Sequence, residues 1–148
     1  MDSKQLFFED VSVGDEISPI TKKATLVQNV MYAAATWDFH RHHYDKEFTD
    51  SKGYLGTFID GQLFGAFLAQ LVAQWAGADG VVKKLGLSYR VMAIPGDVLT
   101  CKGRVADKYD KDSENLVHCD LWIENQRGEK VVGPAHALLA LPLRNSKA

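Results

Sequence analysis

From residue 60 to residue 77 the chain reads "DGQLFGAFLAQLVAQWAG", and its polar positions fall on one narrow stripe. Gln62, Gln70 and Gln74, with Ala66 completing the row, are separated by multiples of four, while Leu63, Phe64, Phe67, Leu68, Leu71, Val72 and Trp75 cover the remaining surface. The spacing predicts a helix buried on most sides. Asp60 is its expected N-cap, because a carboxylate accepts from an otherwise unpaired first-turn N–H, and Gly77 is its expected stop.

Beyond this helix the period changes to two. "KKLGLSYRVMAI", "DVLTCKGRVADKY", "NLVHCDLWIENQ" and "KVVGPAHALLALPL" are strand-length and separated by "PGD", "DKDSE" and "QRGE" turns. In the third segment Val117, Cys119, Leu121 and Ile123 share one face, and His118, Asp120, Trp122 and Glu124 share the other. Upstream, "FEDVSVGDEI" contains a Val-Gly-Asp turn, and "KKATLVQNVMYAAAT" reads as a strand followed by a short helix. Neither the long helix nor the four-strand meander can bury its apolar surface alone. The expectation is therefore an α+β architecture, with a curved antiparallel sheet wrapped around a long central helix.

Composition narrows the picture. The 148 residues are 46% hydrophobic and 24% charged, which fits one compact domain over the whole chain, 1–148. A formal net charge of −2 argues against a general nucleic-acid binder, which needs a basic stripe to neutralise phosphates. Cys101 and Cys119 lack a metal or redox spacing and read as reduced, buried thiols. "MDSKQLFFED" has no basic head followed by an apolar block, and the apolar run 63–75 is far short of a bilayer span. A soluble cytoplasmic protein is expected.

The candidate chemistry is concentrated in "ATWDFHRHHYDKEF", where Asp38, His40, His42, His43 and Asp45 fall within eight residues. Such a cluster holds a metal, forms an acid-base pair, or faces solvent. His40-x-His42 followed by Glu47 is similar to the first metal motif of cupins, but an all-β barrel has no place for the long helix. No metal and no cofactor are expected.

The chain resembles the MaoC-like, (R)-specific enoyl-CoA hydratases and dehydratases of the hotdog fold. The likeness runs through "FEDVSVGDEI", "WDFHRHHYDKEF", "GTFIDGQLFGAFLAQL", "LSYRVMAIPGDVLTCKGRV" and "VVGPAHALLALP". The family motif is Asp-x-Asn-Pro-x-His, and Asp38 and His43 keep its five-residue separation. His40 stands in place of Asn, Arg41 in place of Pro, and Asp60 precedes Gly61 where a His-Gly pair is common; Ala69 lies about where some hydratases carry serine.

The resemblance implies that Asp38 and His43 handle protons while water adds across an enoyl thioester. It further implies that the Gly61 N–H, at the helix tip, stabilises the thioester oxygen as it gains enolate charge. Glycine there also suits tight helix-sheet packing. His40, Arg41, Asp60 and Gln62 are the neighbouring substrate-side candidates, with rim hydrogen bonding and helix capping as their plainer roles. Phe58 and Phe64, with Phe39, Phe67 and Leu68, line an acyl tunnel or fill the core. Lys84 and Arg90 hold the phosphates of coenzyme A or are simply solvated. The implied partners are an acyl-CoA or acyl-carrier-protein thioester and a second subunit, giving a homodimer, a higher oligomer or a heteromer; a non-catalytic binding subunit is the alternative. Neither nucleic acid nor a membrane span is expected.

Overall fold

The computed structural model describes residues 5–144. Residues 1–4 and 145–148 lie outside the described residues, so the ends of the expected 1–148 domain and the start of the segment read as lacking a leader fall there. In chain order the elements are β1 (Glu16–Lys23), α1 (Leu26–Thr36), α2 (Lys46–Ser51), α3 (Gly61–Ala76), β2 (Val81–Tyr89), β3 (Val98–Lys111), β4 (Glu114–Asn125) and β5 (Lys130–Ala140). Single 3-10 turns sit at Phe8–Asp10 and Arg41–His43.

Helix α3 forms where the four-residue stripe predicts it. Asp60 caps it, its Oδ1 accepting from Gln62 N at 2.8 Å, and Gly77 ends it with a left-handed φ of 84°. Leu63, Phe64, Phe67, Leu68, Leu71, Val72 and Ala76 are buried, and Gln62, Ala66 and Gln74 face outward. The sheet closes around the buried face with Cys101, Val105, Val117, Cys119, Leu121, Ile123, Ala137 and Leu139. Burying one such leucine contributes roughly 2 kcal/mol, so this helix–sheet contact dominates the core. Both cysteines are free within it, and burial pushes their thiols up to about 12, which makes them packing groups. Among the described residues no helix is long and apolar enough to cross a membrane.

The sheet has five antiparallel strands in the order β1-β3-β4-β5-β2. This corrects the expectation of a four-strand meander in two ways. β1 joins the sheet beside β3, and β2 pairs with β5 at the opposite edge rather than with its successor β3. The second strand is also shorter at its end than its pattern suggests, because residues 90–97 leave the sheet and cross its end. Ile59 N donates to Ala93 O at 2.8 Å, and Gly96 N to Ala24 O at 2.7 Å, so this connection passes the α3 tip and reaches the end of β1. Alternation identifies a strand; these backbone bonds choose its neighbours.

Asp97 pins the far end of the crossing. It is 3% exposed and accepts from Ile94 N, Gln126 Nε2 and Arg127 Nη1 at 3.0, 2.7 and 2.9 Å. Burial alone would raise its pKa, but these donors outweigh burial and hold the carboxyl below its ordinary value. A depressed folded-state pKa contributes stability above the unfolded value and loses it as pH falls through the folded one. Asp97→Asn is expected to lower stability by about 2 kcal/mol at pH 7. The gap from wild type should shrink as pH drops below about 4, as urea denaturation across pH would measure. A gap that stays constant with pH would contradict the assignment.

Candidate active site

Local rules bring the histidine segment back toward α3. Thr25 caps α1, its hydroxyl accepting from Gln28 N at 3.1 Å, and the helix stops at Trp37, which takes a left-handed φ of 60°. Asp38 follows this reversal. The Arg41–His43 turn then closes with His43 N donating to His40 O at 3.0 Å, and Asp45 caps α2 by accepting from Phe48 N at 2.9 Å. The five-residue separation of Asp38 and His43 thus spans one turn, and both side chains meet the foot of α3. One carboxylate oxygen each of Asp38 and Asp60 and a ring nitrogen of His43 all lie within 4.8 Å of one another.

One buried amide holds this arrangement together. Asn29 of α1 is fully buried; its Nδ2 donates to His43 O at 2.7 Å and to Phe58 O at 3.0 Å, and its Oδ1 accepts from Asp60 N at 2.9 Å. Phe58 O also pairs with His43 Nδ1 at 3.0 Å. A carbonyl oxygen only accepts, so Nδ1 carries a hydrogen, and in the neutral imidazole Nε2 keeps its lone pair. Gln62 Nε2 reaches Asp38 Oδ2 at 3.4 Å, and Asp60 Oδ2 is buried without a hydrogen-bond partner.

Beside this group lies a mainly apolar cavity of about 320 Å³, lined by His43, Phe58, Ile59, Gly61, Phe64, Tyr89, Arg90, Val91 and Met92. A second cavity of about 390 Å³ shares Phe58, Val91 and Met92 and runs on to Leu55, Ile94, Arg127 and Glu129. A Cβ added at Gly61 would fall 2.9 Å from Tyr89 Cζ, so the close neighbour of that glycine is a tyrosine ring at the cavity wall. A cleft of about 340 Å³ on the outer sheet face, lined by Arg104, Asp120, Trp122 and Lys130 among others, is far more polar.

The sequence candidates divide accordingly. His43, Gly61, Phe58, Phe64 and Arg90 line the first cavity, and Asp38, Asp60 and Gln62 adjoin it through the contacts above. Arg90 is partly tethered, Nε donating to Gly133 O at 2.6 Å. Arg41 grips Asp45 at 2.8 Å and lies over the Phe48 ring. His40 stacks on His42, their Nδ1 atoms in hydrogen-bond contact. Burial, then the charges of His40, His43 and Lys52, lowers the His42 pKa. Lys84 stands exposed on edge strand β2 opposite Leu138 and lines neither cavity.

Asn29, Tyr89, Val91 and Met92 carry no assignment in the sequence reading. The last three fall in a strand pattern; Tyr89 ends β2, and only the departure of residues 90–97 from the sheet brings Val91 and Met92 to the site. Asn29 had a usable signal, because a polar amide one helical turn from Ala33 needs partners if that face is buried.

Asn29→Leu leaves two carbonyls without their amide donor and the buried Asp60 N–H without an acceptor. The expected loss is about 3 kcal/mol, measured as the shift in urea midpoint at unchanged slope. A loss below 1 kcal/mol would show that the amide is not the clamp described.

The fold is shared with solved structures. PhaJ1, an R-hydratase from Pseudomonas aeruginosa, aligns with a TM-score of 0.86 at 20% identity, covering 95% of this chain and 88% of that one. An (R)-hydratase from A. caviae involved in PHA biosynthesis gives 0.81 at 21%, covering 90% and 99%. A chain of the ChsH1-ChsH2 complex from Mycobacterium tuberculosis gives 0.79 at 24%, covering 88% and 98%. At these identities the likeness is one of fold. Comparison with curated proteins finds no match. The MaoC-like domain model, however, matches residues 10–124, most of the chain, and includes Asp38, His43, Asp60 and Gly61. With its long helix, its wrapped antiparallel sheet and that match, the chain belongs to the MaoC-like dehydratase family of hotdog proteins.

Proposed function

We propose that this protein interconverts a trans-2-enoyl thioester and an (R)-3-hydroxyacyl thioester, with the coenzyme A ester as substrate. The observation that carries the reading is the convergence of Asp38 and His43 on the N-terminal tip of α3, beside an apolar cavity. Family membership and the two R-hydratases among the fold neighbours support the same reaction class.

In the hydration direction a base takes one proton from water, the water oxygen bonds C3, and the π electrons move onto the thioester oxygen. An acid then delivers a proton to C2. His43 Nε2 has its lone pair free to accept, and the Asp38 carboxylate orients the same water. Gly61 is the first helical residue, so its N–H has no acceptor within the helix and meets the enolate oxygen with the positive end of the helix dipole behind it. A pre-aimed donor of this kind is worth roughly 3 kcal/mol at the transition state. Dehydration reverses every proton transfer, so acid and base exchange roles.

The acyl group extends from Phe58 and Phe64 across Val91 and Met92 into the second cavity, and Arg90 serves the phosphates at the other end, with Lys84, which lines neither cavity, left to solvent. The chain acts as one domain in the cytoplasm, where its two free thiols stay reduced. Leu55 and Trp37 are 99% and 84% exposed, which supports burial against a second subunit. A homodimer is the first reading. A heteromer is the second, favoured by the fold neighbour that comes from a two-component complex.

The test follows loss of enoyl-thioester absorbance over a panel of acyl groups. Asp38→Asn and His43→Gln should each lower the rate at least ~100-fold while circular dichroism stays unchanged. Rates within about tenfold of wild type would remove both residues from the mechanism.

A further inference from the structure

The foot of α3 has too many acceptors. Asp60 is 2% exposed; Oδ1 is used by the helix cap, and Oδ2 has no partner at all. The Asp38 carboxylate receives one long bond, from Gln62 at 3.4 Å, and His43 presents a bare Nε2 because its hydrogen sits on Nδ1. Asp60 Oδ2, the Asp38 oxygens and, in the neutral imidazole, His43 Nε2 are all acceptors, and one water molecule has only two hydrogens to give them. Leaving the buried Asp60 Oδ2 unpaired is costly, and a divalent cation would take lone pairs from all three side chains at once.

We propose that Asp38, His43 and Asp60 form a binding site for one divalent first-row transition cation. The donor atoms already stand within 4.8 Å of one another. Around one tetrahedral zinc ion, with bonds of about 2.0–2.2 Å, ligand atoms stand roughly 3.3–3.6 Å apart, so the three side chains must draw together by up to about 1.5 Å. One nitrogen and two carboxylate oxygens suit zinc, manganese or iron rather than magnesium, which favours oxygen and its own waters.

The surroundings match what ligating side chains require. A metal-bound histidine gives its other ring N–H to a carbonyl, as His43 does to Phe58, and ligating carboxylates are themselves held by donors, as Asp60 is by Gln62 N. His43 also borders the cavity lined by Gly61 and Phe64, which gives an ion a path to the three side chains.

This site is distinct from the cupin-like pattern in the sequence. His40 and His42 lie stacked on each other at the exposed rim and Glu47 is exposed on α2, so those three do not gather around a point. Asp60 is the residue that makes the inner site, and it stands where a His-Gly pair is common in the family.

A cation here takes the lone pair that hydration needs, so cation and catalytic water exclude each other. That consequence rests on the proposed hydratase reading; the binding does not. The experiment titrates zinc chloride, and magnesium chloride as a control, into chelator-treated, tag-free protein by isothermal calorimetry. One zinc per chain is expected, with no magnesium bound at the same concentrations. Asp60→Asn, which keeps a helix-capping oxygen, should weaken zinc at least tenfold, and His40→Ala/His42→Ala should leave it unchanged. Long-range proton–nitrogen spectra of wild type should show the His43 Nε2 resonance shift on zinc addition, independent of how any variant folds.

Absence of stoichiometric zinc, or binding lost with His40 and His42 but indifferent to Asp60, overturns the proposal. In parallel, zinc at its measured Kd should halve enoyl-thioester hydration, and chelator should restore it. If no thioester is turned over in metal-free protein, the hydratase reading fails while the calorimetry still decides the site.

Discussion

The site depends on one buried side-chain amide. Asn29 gives its two donors to the carbonyls of His43 and Phe58 and its acceptor to the N–H of Asp60, so two chain segments, the His43 turn and residues 58–60, are registered against helix α1 by a single residue. A buried amide with all its bonds made is strongly directional, because any slip of one segment strands a polar group away from water. The same bonds explain the His43 tautomer. Phe58 O, itself held by Asn29, receives Nδ1–H, and the free lone pair is thereby assigned to Nε2.

Helix α3 supplies the other fixed point. Its buried face against the sheet leaves little freedom along the axis, so the tip at Gly61 is as well placed as the core itself. The residue 90–97 crossing then passes that tip and adds Val91 and Met92 to the wall. A connection that only had to join β2 to a neighbouring strand would not come near the site. The strand order and the cavity are consequences of the same backbone path.

The departures from the family motif have local explanations. Arg41, standing in place of proline, forms a two-pronged contact with Asp45, the cap of α2, and covers Phe48, so it stiffens the turn by pairing rather than by a ring. His40 stands in place of asparagine and stacks outward on His42, while the buried amide of this site comes from Asn29, at a different point in the chain. Asp60 changes the chemistry most. It adds a second carboxylate beside Asp38, one of its oxygens serving the helix and the other left unpartnered.

How much of this was legible varies by residue. The α3 stripe, its two caps and the inner face of β4 follow from periodicity, because burial on one side imposes a repeat that any reader of the chain can see. The proximity of Asp38 and His43 was readable as a spacing. Helix α1 shows the limit. Val27, Val30 and Met31 are exposed while Asn29 and Ala33 are buried, so the apolar residues of that helix point the wrong way for an inference from pattern. Sequence by itself determined most of the elements, though not α2 or the end of β2, together with the central helix and the motif, since those depend on interactions between residues close along the chain. Tertiary structure alone decided which strands are neighbours, which face of α1 turns inward and which side chains surround His43. Those outcomes rest on hydrogen bonds and contacts between segments far apart in sequence, and no local repeat encodes them.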